Sequence, residues 1–74
     1  MANTVGSRVR EARFRGGRKI TQQDLAARLQ TAGILIDRTA ISKIEAGHRP
    51  VTDTEIVALC RALGVTPNWL LGFD

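Results

Sequence analysis

Between Asp37 and Gly47 the sequence sets Arg38, Thr39, Ser42 and Lys43 at spacings that gather them on one side of a helix. At roughly 100° per residue, Ile41 and Ile44 point one way while Thr39, Ser42, Lys43 and Ala46 point the other, with Arg38 at the exposed N-terminal shoulder. Two small hydroxyls between a guanidinium and an ammonium make a surface that can hydrogen-bond to base edges. An arginine can donate twice to guanine O6 and N7, and a lysine brings a point charge to a phosphate. A helix of this kind fits the major groove of double-stranded DNA, provided a neighbouring helix holds its opposite side. Gln22, at the start of the preceding helix, offers an amide beside backbone N–H groups with no helical acceptor, which suits a phosphate oxygen. Arg49, just past Gly47, is placed to clamp a second phosphate.

Other chemistry finds little material. A structural zinc site normally takes four Cys or His ligands, whereas Cys60 and His48 are the whole supply, so no metal and no cofactor is expected. There is no Ser, His and Asp set, no paired carboxylates and no Gly-rich phosphate loop, so the chain is not read as an enzyme. The longest apolar runs are three residues, against about 20 for a membrane span, and residues 1–10 lack a signal-peptide core. A soluble, cytoplasmic protein without membrane contact is expected. Its charge is polarised: residues 1–49 carry ten Lys or Arg against Glu11, Asp24, Asp37 and Glu45, whereas residues 50–74 carry Arg61 against Asp53, Glu55 and Asp74. The first two-thirds should therefore attract a polyanion.

The elements that position these residues follow from punctuation. Seventy-four residues allow one small domain, and 43% hydrophobic residues rule out wholesale disorder. Val5, Val9 and Ala12 give a first helix over 4–14, ended by Gly16 and Gly17. The basic loop of Arg15, Arg18 and Lys19 adds phosphate attraction. Thr21 caps a second helix with Asp24 as its reciprocal partner, and Leu25, Ala26 and Leu29 form its buried stripe. That helix runs to Ala32 before Gly33. Ile34 to Ile36 form an apolar link, and Asp37 caps the helix 38–46. Thr52 and Glu55 make a capping box for a fourth helix, with Val51 and Ile56 as a hydrophobic staple. Cys60 lies on its core stripe with Ile56, Leu59 and Leu63. Thr66 and Pro67 open a brief fifth helix ended by Gly72, with Trp69 and Leu70 read mainly as core. The expected fold is all-α and compact, with five helices. Residues 4–72 are read as a single helix-turn-helix DNA-binding domain, with 1–3 and 73–74 as flexible ends.

The stretch Thr21 to Leu29, followed by Thr39 to Gly47, resembles the XRE family of helix-turn-helix regulators, the lambda-repressor-like domains. Val5 to Arg10 is similar to the family's first helix, and Leu63 to Val65 with Asn68 to Gly72 to its ending. The resemblance implies a five-helix domain that binds specific DNA sequences, usually as two-fold-related half-sites, and regulates transcription. It places Gln22 at a phosphate contact and Arg38, Thr39, Ser42 and Lys43 at base-reading positions. It also pairs Arg13 of the first helix with Glu45 of the recognition helix. Two departures stand out. About five extra residues precede the recognition helix, so the turn is long and Gly33 comes late, and the loop from Arg15 to Ile20 is unusually basic.

The expected activity is that of a transcriptional regulator, in its simplest form a repressor that occludes a promoter, with a homodimer on DNA and control by concentration, dimerisation or a protein partner. An antitoxin, a phage repressor and a restriction-modification controller all fit. The alternative class is a helix-turn-helix protein-interaction module or antitoxin whose main partner is another protein.

Overall fold

The computed structural model describes residues 4–17 and 19–73. Among these the chain forms five α-helices and no strand: α1 (Thr4–Arg13), α2 (Gln22–Thr31), α3 (Arg38–Ala46), α4 (Asp53–Leu63) and α5 (Pro67–Leu71). A short 3-10 turn over Arg15–Gly17 follows α1. The expected end segment 1–3, Asp74 and Arg18 lie outside the described residues, whereas Phe73 is described and exposed.

The helices α2 to α5 each start where a side chain can satisfy the backbone N–H groups that have no helical acceptor. The Thr21 hydroxyl accepts from the Asp24 N–H at 3.0 Å, and the Asp24 carboxylate accepts from the Thr21 N–H at 3.3 Å. Thr52 and Glu55 repeat this reciprocal pair on α4. Asp37 caps α3 by accepting from the Ala40 N–H at 2.8 Å, and Thr66 caps α5 with Pro67 behind it.

Two glycines decide where the central helices stop. Gly33 has φ 85°, a conformation costly for any residue with a Cβ. It lets the Ile34 N–H reach back to the Leu29 carbonyl at 2.9 Å and the Gly33 N–H to the Gln30 carbonyl at 2.9 Å. The helix proper ends at Thr31, one residue before the expected Ala32, because Ala32 already sits at the cap position. Gly47 does the same for α3 at φ 80°, with the His48 N–H donating to the Lys43 carbonyl.

Packing follows the apolar stripes. Val9, Leu25, Leu29, Ile36, Ile41, Ile44, Leu59 and Leu70 are completely enclosed, and each contributes roughly 1.5–3 kcal/mol by leaving water. Helix α1 packs on α3, α4 and α5, while α2 packs on α3 and α4. The Arg28 guanidinium pins α2 to α4 by donating to the Ala62 carbonyl at 2.9 Å. Cys60 is buried beside Leu59 and Leu63, and burial pushes its thiol above the usual cysteine range. No helix among the described residues is long and apolar enough to cross a membrane.

Replacing Asp37 by Ala removes the cap of α3 without touching the core. It should lower stability by about 1 kcal/mol in urea unfolding, with an unchanged denaturant slope. Asp37→Ser should recover most of the loss.

Candidate nucleic-acid interface

Helix α3 is divided sharply. Ile41 and Ile44 are 0% and 1% exposed, while Arg38, Thr39, Ser42, Lys43 and Ala46 all lie in solvent. The four polar residues therefore share a surface strip on one rigid element. Among the described residues, no carboxylate pairs with Arg38 or Lys43. The strip is cationic, rich in donors and shallow, as contact with the edges of base pairs requires.

The inner side of α3 is held by charge as well as by isoleucine. Arg13 of α1 donates from Nε to Glu45 Oε2 at 2.8 Å and from a terminal nitrogen to Glu45 Oε1 at 2.9 Å. Both side chains are only 7% exposed. The other terminal nitrogen of Arg13 donates to the Ile20 carbonyl at 3.2 Å, and the Ile20 N–H returns a bond to the Arg13 carbonyl at 2.8 Å. One guanidinium thus ties the end of α1, the entry to α2 and the body of α3 together. A planar fork facing a carboxylate fixes direction as well as distance. The pairing of Arg13 with Glu45 is the one that the family resemblance implied.

Gln22 occupies the first position of α2, half-buried, and its amide nitrogen donates to Glu45 Oε1 at 3.2 Å. Its side chain is therefore oriented by the same carboxylate that holds Arg13. This link lay beyond sequence reasoning, because Glu45 was already assigned one partner and nothing in the spacing shows that its second oxygen serves two donors.

Arg49 is placed differently from the free clamp expected at the end of α3. Its guanidinium meets the Glu55 carboxylate with two bonds, at 3.1 and 3.0 Å, and also donates to the Pro50 carbonyl at 3.1 Å. The Arg49 bonds, with the Thr52 N–H adding to them, hold the Glu55 carboxyl below the usual carboxylate range against the opposing effect of burial. Arg15 of the basic loop is likewise engaged: its guanidinium carbon stands 4.6 Å from the centre of the Trp69 ring, as does that of Arg8. Neither stacking contact has a local signal, since Trp69 belongs to α5. Lys19 is exposed.

The long turn opens a cleft of about 290 Å³ between α2 and the first turn of α3, with Gln23, Ala27 and Gln30 on one side and Arg38 and Thr39 on the other. Groups of three or more residues able to hold a metal ion are absent among the described residues. In comparisons with known proteins, residues 12–70 match the model of a family described as helix-turn-helix. No curated protein and no solved structure matches the chain.

Removing one member of the enclosed pair leaves a charge without its partner, so Arg13→Ala or Glu45→Ala should cost about 3–5 kcal/mol in chemical unfolding. The double variant should lose clearly less than the two single losses combined, the signature of a direct contact. The Arg49 pair has a pH signature. Because the carboxyl of Glu55 is lowered in the folded state, its contribution is present above the ordinary carboxylate range and disappears as pH falls through the lowered value. Thermal scans between about pH 7 and pH 2 should show a shallower acid-side loss for Arg49→Ala than for the parent.

Proposed function

This chain belongs to the XRE-like helix-turn-helix family and carries that family's DNA-binding domain, and on that premise we propose that it is a sequence-specific transcriptional regulator that inserts α3 into the major groove. The observation that carries this reading is the division of α3: a cationic, donor-rich strip in solvent, backed by two enclosed isoleucines and a buried ion pair. A strip fixed in this way spends little freedom on binding, which favours discrimination between sequences over loose attachment to phosphate.

In this reading Arg38, Thr39, Ser42 and Lys43 meet the base edges. Gln22, already oriented by Glu45, donates the second N–H of its amide nitrogen to a phosphate on the flank. Arg49 contributes least of the set, because Glu55 takes both ends of its guanidinium. Residues 4–72 form the binding unit, and the net positive charge of residues 1–49 draws it to the duplex. Two copies on related half-sites, roughly 10 base pairs apart or a multiple of that, would cover a promoter and repress by occlusion.

Selection of bound sites from random duplex DNA tests the reading as a whole, and an enriched two-fold motif is the expected result. On that site Arg38→Ala should cost about 1–3 kcal/mol and relax the preference at one base pair. Lys19→Ala should instead weaken all sequences alike and reduce the salt slope by about one. Equal loss on selected and random DNA for Arg38→Ala would remove its base-reading role, and failure to enrich any motif would end the proposal of specificity.

A further inference from the structure

Trp69 of α5 carries two arginines. The guanidinium carbons of Arg8 and Arg15 each stand 4.6 Å from the centre of its ring, so they are no farther from each other than twice that distance. Two like charges held this close repel, and an indole answers the repulsion only in part: its face attracts each cation but brings no negative charge. Among the described residues no carboxylate pairs with either arginine. Glu11 has the right place in the sequence, three residues after Arg8 and four before Arg15, where a helical turn would bring it to both. It lines a different hollow instead, with Ser7, Arg10, Phe14 and Glu45. An acid is what this arrangement lacks.

The stacking also decides what kind of acid fits. A guanidinium laid over a ring keeps its N–H donors in its own plane, as a fork matched to a carboxylate. Contact with the ring restrains both long side chains, so less freedom is lost when an anion arrives. Arg15 is exposed, and Arg8 and Trp69 are half-buried, so the forks can be reached from solvent. The surroundings are aromatic as well as cationic: Phe73, four residues on from Trp69, is 78% exposed, with its N–H tied to the Asn68 carbonyl at 2.8 Å. A bare phosphate backbone gains nothing from such a neighbour, whereas a peptide bearing acidic and apolar side chains gains from both. Trp and Arg are also the side chains on which protein contacts most often depend.

We propose that Arg8, Trp69 and Arg15 form a docking site for an acidic segment of a partner protein, with one carboxylate on each guanidinium fork and an apolar side chain of the segment against Phe73. Arginine clusters recognise acidic motifs by this chemistry. The site stands on α1, the turn after it and α5, and α5 packs on α1 and α4. It uses none of the residues of the α3 strip, so it does not rest on the DNA-binding reading.

Trp69 is the one tryptophan of the chain, so its emission reports on the site. A short capped peptide of glutamates around a central leucine, titrated at low salt, should change that emission saturably, and the same peptide with glutamines in place of glutamates should not. Arg8→Gln and Arg15→Gln should each weaken the glutamate peptide about tenfold or more by calorimetry, while circular dichroism shows both variants folded. Arg61→Gln removes the same charge from α4 and should bind the peptide like the parent. Absence of a saturable change overturns the proposal. So does an equal loss for Arg61→Gln and Arg8→Gln, since the peptide would then follow the overall charge. If duplex DNA alone produces the same change in emission, and Arg8→Gln abolishes it, the two arginines belong to a nucleic-acid contact and the proposal falls.

Discussion

The enclosed pair between Arg13 and Glu45 is the contact on which the arrangement of the helices depends. A helix of nine residues is shorter than the roughly 12–15 that persist alone in water, so α3 owes its shape and direction to what it touches. Isoleucine packing supplies attraction but little direction, because apolar contact is not oriented. The guanidinium fork supplies the direction. It grips Glu45 from α1, reaches the chain entering α2 through the Ile20 carbonyl, and shares its carboxylate with Gln22. Two charges this far from water are costly to desolvate, so the pair adds specificity of geometry more than net stability.

From that constraint the division of labour follows. With the inner side of α3 occupied by Ile41, Ile44 and Glu45, the residues between them in sequence fall outward, and all of them are polar, cationic or small. Asp37 and Gly47 fix the two ends, so the strip has a defined length as well as a defined face. The long turn is accommodated upstream, where Gly33 ends α2 and Ile34 and Ile36 fold back towards the core, leaving Leu35 outside.

Local chemistry made much of this legible in the sequence. Thr21, Asp37, Thr52 and Thr66 announce helix starts, because a short oxygen-bearing side chain before an apolar stripe has few other uses. The burial of Ile41 and Ile44 follows from helical period alone, and the partner of Arg13 came from family resemblance. What stayed hidden were choices among equivalent polar groups. Arg49 resembles a free cation until the fold shows Glu55 turned towards it, and the same Glu55 caps α4; its Oε1 accepts from both Arg49 and the Thr52 N–H. The stacking of Arg8 and Arg15 on Trp69 joins the first and last helices, and no periodicity encodes such a distance. The apolar link at 34–36 gave no sign of which residue would face water.

The central claim, that the outward strip of α3 is the surface that meets DNA, is tested most directly by following the backbone amide resonances of the chain as duplex DNA carrying the selected site is added. The account predicts that the largest changes fall at Arg38, Thr39, Ser42 and Lys43, with a second set at Gln22. Changes concentrated on α4 or α5, with α3 silent, would contradict it.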